Sequence, residues 1–499
     1  MNTLRFLFLF LVIISCKSQE NTKKQEVPIK NTAPNIVYIL ADDMGYGDLS
    51  SLNPESGIQT PYMDKILKEG VHFTDAHSNS SVCTPTRYGI ITGRYAWRSP
   101  LKKGVLHGYK PALIEESRPT VASYLKSNGY TTACIGKWHI GLGMQPKDGD
   151  KVVKSKDGHS NVDFSKPIKD PSDLGFDYSY IIPASLDIPP YVYIENGKTV
   201  ELPTEFTKGK NAGRGVMWRP GQKAPSFVFE QVLDNFTKRS VSFIQDQKEV
   251  DSPFFLYFPL TAPHKPWLPV GEAIGKSKAG LYGDYVTMVD DAVGAIVEAL
   301  KKSGQLENTL IIVTSDNGSN WTERDQEKYP HRANYIYKGR KADIYDGGHR
   351  VPYIAQWPGV IPAGLESNQL MCTTDLFATL SGILKQPNIK EGAEDSYNLW
   401  PAYTSNVKAP IRKAVVHHSI YGMFSIRKGK WKYTPELGSG GFTKPKNIEP
   451  KPKEAPGTLY DMINDPTEKN NLYNENPEVV EELNTLLEAY KSQEYSNKN

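Results

Sequence analysis

The 499-residue chain is long enough for one large domain and a smaller one, and its 38% hydrophobic content can furnish a substantial core. A formal charge of +3, spread along the sequence, gives no electrostatic footprint for nucleic acid and excludes that class of partner. Any preference for an anionic substrate must come from local residues.

Arg5 followed by an apolar run over residues 6–14 is too short to span a bilayer and reads as a secretory signal over residues 1–15. The run ends Ile13-Ile14-Ser15-Cys16, which resembles a lipobox. On that reading Cys16 is the lipidated first residue of an exported lipoprotein, anchored to a membrane in the periplasm or at the cell surface. Residues 16–31 form its polar, Lys/Gln-rich tether.

Residues 35–41, Asn-Ile-Val-Tyr-Ile-Leu-Ala, have the pattern of a strand buried on both faces of a parallel sheet. They run into Asp42-Asp43, two adjacent carboxylates that are costly at a buried strand end unless a hard divalent cation neutralises them. In Ser81-Val82-Cys83-Thr84-Pro85-Thr86-Arg87, Thr84 is the expected helix N-cap and Pro85 the first-turn proline, so Cys83 is expected just before a helix N-terminus. Unpaired amides and the nearby Arg87 make that a place for anions. A cysteine phosphatase would need an arginine six positions after the cysteine, and position 89 is Gly.

A third strand-like segment, residues 130–136, delivers Lys137-Trp138-His139. If the extended conformation persists, Lys137 and His139 share a face and Trp138 packs away from it. A further apolar run, residues 254–258, leads to His264 in a proline-stiffened loop. Residues 282–302 read as an amphipathic helix in which Asp290 and Asp291 are structural. Residues 309–315 form another buried-strand pattern ending in Asp316-Asn317, two more oxygen ligands. Ligands collect beyond the carboxyl ends of strands in open α/β sheets, so both acidic ends can converge on one ion, and an oxygen-only set favours Ca²⁺ or Mg²⁺ over zinc. Residues 351–359 read as a strand entering a turn and 375–384 as a helix. From about residue 408, short strands over 414–418, 423–427 and 431–433 suggest a small antiparallel sheet, followed by a solvated Pro/Lys-rich loop over 444–456 and a helix over 477–490. Cys134 and Cys372 are far apart and read as buried thiols. The alternation of buried strands and amphipathic helices implies a doubly wound α/β domain.

Cys83, Pro85 and Arg87, followed by Thr92-Gly93-Arg94, resemble the signature of the type I sulfatases. The resemblance implies an alkaline phosphatase-like fold: a large, mostly parallel sheet in a catalytic domain over residues 32–405, with a small antiparallel α+β subdomain over 406–499. It implies that a maturation enzyme oxidises Cys83 to formylglycine, which joins Asp42, Asp43, Asp316 and Asn317 in a metal site for Ca²⁺ ahead of Mg²⁺. By the same resemblance, hydrated formylglycine attacks sulfur, His264 aided by Lys341 protonates the leaving alcohol, and His139 accepts the proton whose loss regenerates the aldehyde. Arg87 and Lys137 hold the formylglycine and sulfate oxygens, and Ser185 contacts sulfate. Counting back from Tyr345-Asp346-Gly347-Gly348 places the second active-site lysine at Lys341 rather than Lys338, with Asp346 standing where many relatives have Glu. A sulfated carbohydrate is the expected substrate, with Arg98, His107, Asp187 and His349 as uncommitted selectivity candidates. Two other readings stay open: a phosphodiester or phosphonate monoester hydrolase on the same metal site, and a non-catalytic glycan-binding lipoprotein if Cys83 is never oxidised.

Overall fold

The strand Phe254–Pro263 shows why the large sheet lies where it does: all ten of its residues are buried, so both faces must be covered by other apolar groups. The computed structural model describes residues 33–386 and 392–497. The secretory signal, Cys16 and the tether lie outside the described residues. From Pro34 onward the chain clusters as one compact unit.

The sheet has ten strands. At its centre Thr309–Ser315, Asn35–Asp42, Phe254–Pro263, Thr131–Lys137 and Tyr178–Ile182 run side by side, every adjacent pair parallel. Val37, for example, lies opposite Leu256 on one side and Ile311 on the other. Because the five are parallel, their carboxyl ends emerge along one edge. Antiparallel strands flank them, with Tyr353–Gln356 on Thr309–Ser315 and Ile194–Glu195 on Tyr178–Ile182. The expected large, mostly parallel α/β sheet is present.

The helix Gly280–Lys302 covers one face through Val286, Val289, Val293, Ile296 and Leu300, all fully buried at the expected helical spacing. Each such side chain contributes about 1.5–3 kcal/mol on burial. The helix begins two residues earlier than the apolar pattern indicates. Asp290 is buried on it and is structural as expected: its two carboxylate oxygens accept from the backbone amides of Tyr62 (3.1 Å) and Met63 (2.8 Å), at the first turn of the helix Pro61–Glu69. Asp291 is exposed and forms no such cap.

The C-terminal sheet has four strands, one more than the pattern suggests: Val415–His418, Phe424–Lys428, Trp431–Thr434 and Thr458–Asp461, paired antiparallel in that order. The last is four residues long and follows the Pro/Lys-rich loop, so no alternation announces it. The helix Pro477–Ser492 packs Leu483 and Leu487 against this sheet's own apolar cluster. Cys134 and Cys372 are buried free thiols, as expected.

Asp290→Ala removes the acceptor for two first-turn amides that have no intrahelical partner. It should cost about 1 kcal/mol in urea unfolding while leaving the chemistry at the sheet edge unchanged.

Candidate active site

The five parallel strands deposit the predicted residues along one edge. Asn35–Asp42 ends in Asp42 and Asp43, Thr309–Ser315 in Asp316 and Asn317, Thr131–Lys137 in Lys137 and His139, and Phe254–Pro263 in His264. Ser185 follows Tyr178–Ile182. Two of these residues lie in the left-handed region, Asp43 at φ 67° and His139 at φ 61°. Aspartate and histidine tolerate that conformation better than most residues, and here it turns the chain sharply off the strand end. The extended run therefore stops at Lys137, contrary to expectation. His139 still lines the cavity that Cys83 lines, while Lys137 reaches Asp42 and Trp138 turns away to donate its indole N–H to the Gly141 carbonyl (2.9 Å).

Cys83 is not just before the helix, as the sequence suggested, but is its first residue: the helix spans Cys83–Thr92 with Val82 as its extended N-cap. Thr84 does not cap it, because its hydroxyl accepts instead from the amide of Leu106 (3.1 Å). All ten residues of the helix are buried. Gly89 is required by the loop packed on it, since a Cβ there would lie 2.5 Å from the Asn79 Oδ1. The helix ends at Gly93 in the left-handed region, φ 65°.

This helix points its first turn, and the sulfur, at the acidic edge. Cys83 Sγ lies 3.3 Å from Lys341 Nζ and 3.5 Å from Asp42 Oδ1. Lys137 Nζ pairs with Asp42 Oδ2 (2.6 Å) and Lys341 Nζ with Asp43 Oδ1 (2.5 Å). Arg87 clamps Asp316 Oδ2 through Nε (3.0 Å) and Nη2 (2.8 Å), and spends Nη1 on the Lys137 carbonyl (2.9 Å). Lys338, the alternative lysine, instead donates to the Glu468 carbonyl.

Burial pushes the Cys83 thiol well above its ordinary range, and the Asp316 charge adds to the effect. The unmodified residue is therefore a neutral thiol, a poor nucleophile. Burial also raises Asp42 against the pull of Lys137. Burial opposes the charge on Asp316 too, but Arg87, Lys137 and Lys341 together with the Asp43 amide outweigh it and hold that carboxyl below the usual range. A carboxylate driven to take up a proton will equally take up a cation. Asn317 adds a second sign: its amide nitrogen donates to Asp43 Oδ1 (2.7 Å), yet its buried Oδ1 has no partner. The donors at this edge, three carboxylates and an amide oxygen, fit a hard divalent ion.

Above this layer opens a cavity of about 190 Å³, with Asp43, Cys83, His139, Ser185, His264 and Lys341 in its walls. His264 donates its Nδ1–H to the Lys265 carbonyl (2.6 Å), which leaves Nε2 toward Asp43 Oδ2 at 3.7 Å. His139 is tied through Nε2 to the Leu106 carbonyl (2.8 Å), and its buried Nδ1 has no partner. The first bond assigns the proton to Nε2 and the lone pair to Nδ1. Burial, together with Lys137 for one and Lys341 for the other, holds both imidazoles far below the ordinary histidine range.

Of the four selectivity candidates, Asp187 lies in the cavity wall, ion-paired to Arg219, with its buried Oδ1 3.9 Å from His264 Nδ1 and without a hydrogen bond among the described residues. His349 is instead fully buried beside His77, and Arg98 is paired with Asp395; neither lines this cavity. His107 is absent from the lining as well. The wall also contains Arg214, Arg219, Lys265 and Trp267, which the sequence reading did not single out. Three of them come from short irregular segments with no periodicity, and Lys265, next to His264, carries no motif of its own.

Known proteins resemble this chain over most of its length. The family description Sulfatase matches residues 34–386. An N-acetylgalactosamine-6-O-sulfatase from Bacteroides thetaiotaomicron is 34% identical, over 92% of this chain and 93% of its own length. Human arylsulfatase A is 29% identical over 91% of this chain and 87% of its own. A solved structure reported under the metabolism of multiple glycosaminoglycans by Bacteroides thetaiotaomicron superposes with a TM-score of 0.78 at 32% identity, covering 93% of this chain and all of that one. A Pseudoalteromonas sulfatase at 23% identity shares the fold, with a TM-score of 0.69 over 94% of this chain and 92% of its own.

Arg87→Met strips Asp316 of its buried partner and should lower unfolding stability in metal-free buffer by about 3–5 kcal/mol. Arg87→Lys, which keeps the charge but not the two-pronged geometry, should recover part of that loss in the same urea titration.

Proposed function

The chain belongs to the sulfatase family and is a sulfuric ester hydrolase, and on that premise we propose that it removes sulfate from a sulfated carbohydrate with formylglycine at position 83 and a bound Ca²⁺. The observation that carries the reading is the convergence of five parallel strand ends on the first turn of the Cys83 helix. Formylglycine would supply the nucleophile there, and Ca²⁺ held by Asp42, Asp43, Asp316 and Asn317 would supply Lewis acidity toward the ester oxygens.

The remaining work falls to side chains in place. Lys137, Lys341 and Arg87 bring fixed positive charge to where sulfate oxygens gain negative charge. Ser185, in the wall, offers a hydroxyl to the sulfate. His264 presents Nε2 to the cavity as the proton donor for the leaving alcohol. It is held neutral by burial and by Lys341, and an anionic ester entering the cavity offsets that lysine and lets the imidazole take up its proton. His139, with a bare lone pair on Nδ1, is the base that accepts a proton when the site resets. The chain is proposed to act as an exported lipoprotein anchored through Cys16.

The choice of sugar is open to a panel of sulfated saccharides, headed by N-acetylgalactosamine 6-sulfate because the 34%-identical relative is named for it. Matched phosphate esters in the same panel distinguish a phosphohydrolase.

Protein made in its native host should yield a peptide containing position 83 that is about 18 Da lighter than the cysteine form. An unmodified thiol in folded, exported protein would overturn the catalytic reading. His264→Ala should lower turnover of alkyl or sugar sulfates by about a hundredfold or more, with less than about tenfold loss on nitrophenyl sulfate, which needs no proton on leaving. Equal losses on both substrates would remove His264 from the acid role.

A further inference from the structure

A second cavity, of about 1080 Å³, shares no lining residue with the catalytic one. Its walls come from the strands Phe424–Lys428 and Trp431–Thr434, the segment 408–413 and the helix Pro477–Ser492. Seven of its lining residues are lysine or arginine and two, Asp75 and Glu482, are acidic. That local excess is larger than the net charge of the whole chain, +3.

Part of this charge is already matched. Arg412 pairs with Asp375, Lys428 with Glu482, and Lys430 with Asp461. Lys408 and Lys413, at the rim, are exposed and form no ion pair among the described residues. Deeper in, Asp75 is shared between Arg350 Nη2 (2.8 Å) and Arg427 Nη2 (3.2 Å), with His77 Nε2 on the same carboxylate at 3.0 Å. Arg350 has Asp346 as a further partner (3.0 Å). Among the described residues Arg427 pairs with Asp75 alone: it is 3% exposed, and its Nε and Nη1 make no hydrogen bond there. A buried guanidinium with unused donors is costly unless an oxyanion can complete it.

The rest of the lining mixes polar side chains, Asn368 and Gln369 among them, with apolar ones such as Leu370, Ile411 and Trp431. Trp431 is half-buried in the wall with Lys430 Nζ 4.4 Å from its ring centroid, and Ile463 stands 71% exposed beside it. An aromatic ring in a cavity that also holds the unpaired Lys408 and Lys413 suits a ligand that alternates C–H surfaces with anionic groups. A sugar ring bearing sulfate or carboxylate has that character, and the cavity is large enough for more than one ring.

We propose that this cavity is a second, non-catalytic binding site for a sulfated glycan chain, with an anionic substituent near Arg427, a sugar face on Trp431, and Lys408 and Lys413 gathering the chain at the rim. The assignment rests on the sulfated-carbohydrate reading of the active site. It adds that the enzyme holds a polymer at a point separate from the bond it cleaves, which raises the effective concentration of chain ends or branches at the catalytic cavity.

The test uses the full chain with Cys83→Ala to stop turnover, and measures binding to immobilised dextran sulfate, with unsulfated dextran and inorganic polyphosphate as competitors. Lys408→Glu/Lys413→Glu, both exposed, should weaken binding about tenfold or more and flatten its salt dependence. Trp431→Ala should weaken it independently of salt. On the otherwise unmodified enzyme the charge reversal should lower kcat/KM for a sulfated polymer while turnover of a small sulfate ester stays within about twofold. Unchanged dextran sulfate binding in both variants, or equal competition by polyphosphate, overturns the assignment. A parallel loss on the small ester also overturns it, because the variants would then act through the catalytic site. If no sulfate ester is turned over at all, the binding arm still decides the cavity while the catalytic reading fails by itself.

Discussion

A buried carboxylate stays charged only beside a cation, and this structure buries three at one edge of a sheet. Asp42 and Asp316 are fully buried and Asp43 is 5% exposed. Lys137, Lys341 and Arg87 stand against them at 2.5–3.0 Å. Neither set is tolerable without the other, because an isolated ion in the interior costs several kcal/mol even after relaxation. The three cations come from different parts of the chain, so this requirement draws the Cys83 helix, the Lys137 strand end and the 340–344 loop onto the same few ångströms. A divalent ion and an anionic ester would enter this arrangement together with little change in its total charge. That is a physical reason for a sulfate ester, rather than a neutral substrate, to be welcome there.

The C-terminal sheet takes part in holding the edge together. The His418 carbonyl accepts from the amide of Ser81 (3.2 Å) and the hydroxyl of Ser80 (3.0 Å), just ahead of Cys83. The Ser81 carbonyl accepts from the amide of Ala342 (2.8 Å), and the Ala342 carbonyl accepts from Ile420 (3.1 Å). Strand, cysteine loop and lysine loop are thus laced mostly by main-chain bonds, to which the Ser80 hydroxyl adds a side-chain one. The small sheet positions the Cys83 cavity more than it lines it, although Ile420 and Phe442 from its neighbouring segments reach the wall. Its opposite resource is the basic cavity, where its strands supply Arg427, Lys428, Trp431 and their neighbours.

The candidate residues at the strand ends were legible because they sit at a break in a pattern. A run of apolar residues ending in Asp42-Asp43, or another ending in Asp316-Asn317, is conspicuous because burial and charge conflict there. His264 stands out in the same way. Asp187, Arg214, Arg219 and Trp267 lie in segments without regular structure and without a run to interrupt. Only the folded chain shows that they share a wall with His264. The misplacement of the helix start has a similar origin: Thr84 and Pro85 are fair capping signals, but the Thr84 hydroxyl was claimed by Leu106, 22 residues away.

By itself the sequence determined four of the five central strands, the polar residues at their ends and the family signature around Cys83, since each depends on neighbours along the chain. The tertiary structure decided what depends on distance between remote segments. It decided that Tyr178–Ile182 joins the four anticipated strands in parallel, that Arg214, Arg219 and Trp267 share a wall with His264, and that His139 faces the cavity through a left-handed turn and not an extended one. It also decided where hydrogen-bonding capacity is left over among the described residues, at Arg427 Nε and Nη1 and at Asn317 Oδ1, because a hydrogen-bond partner is a matter of position in space and leaves no periodicity in the chain.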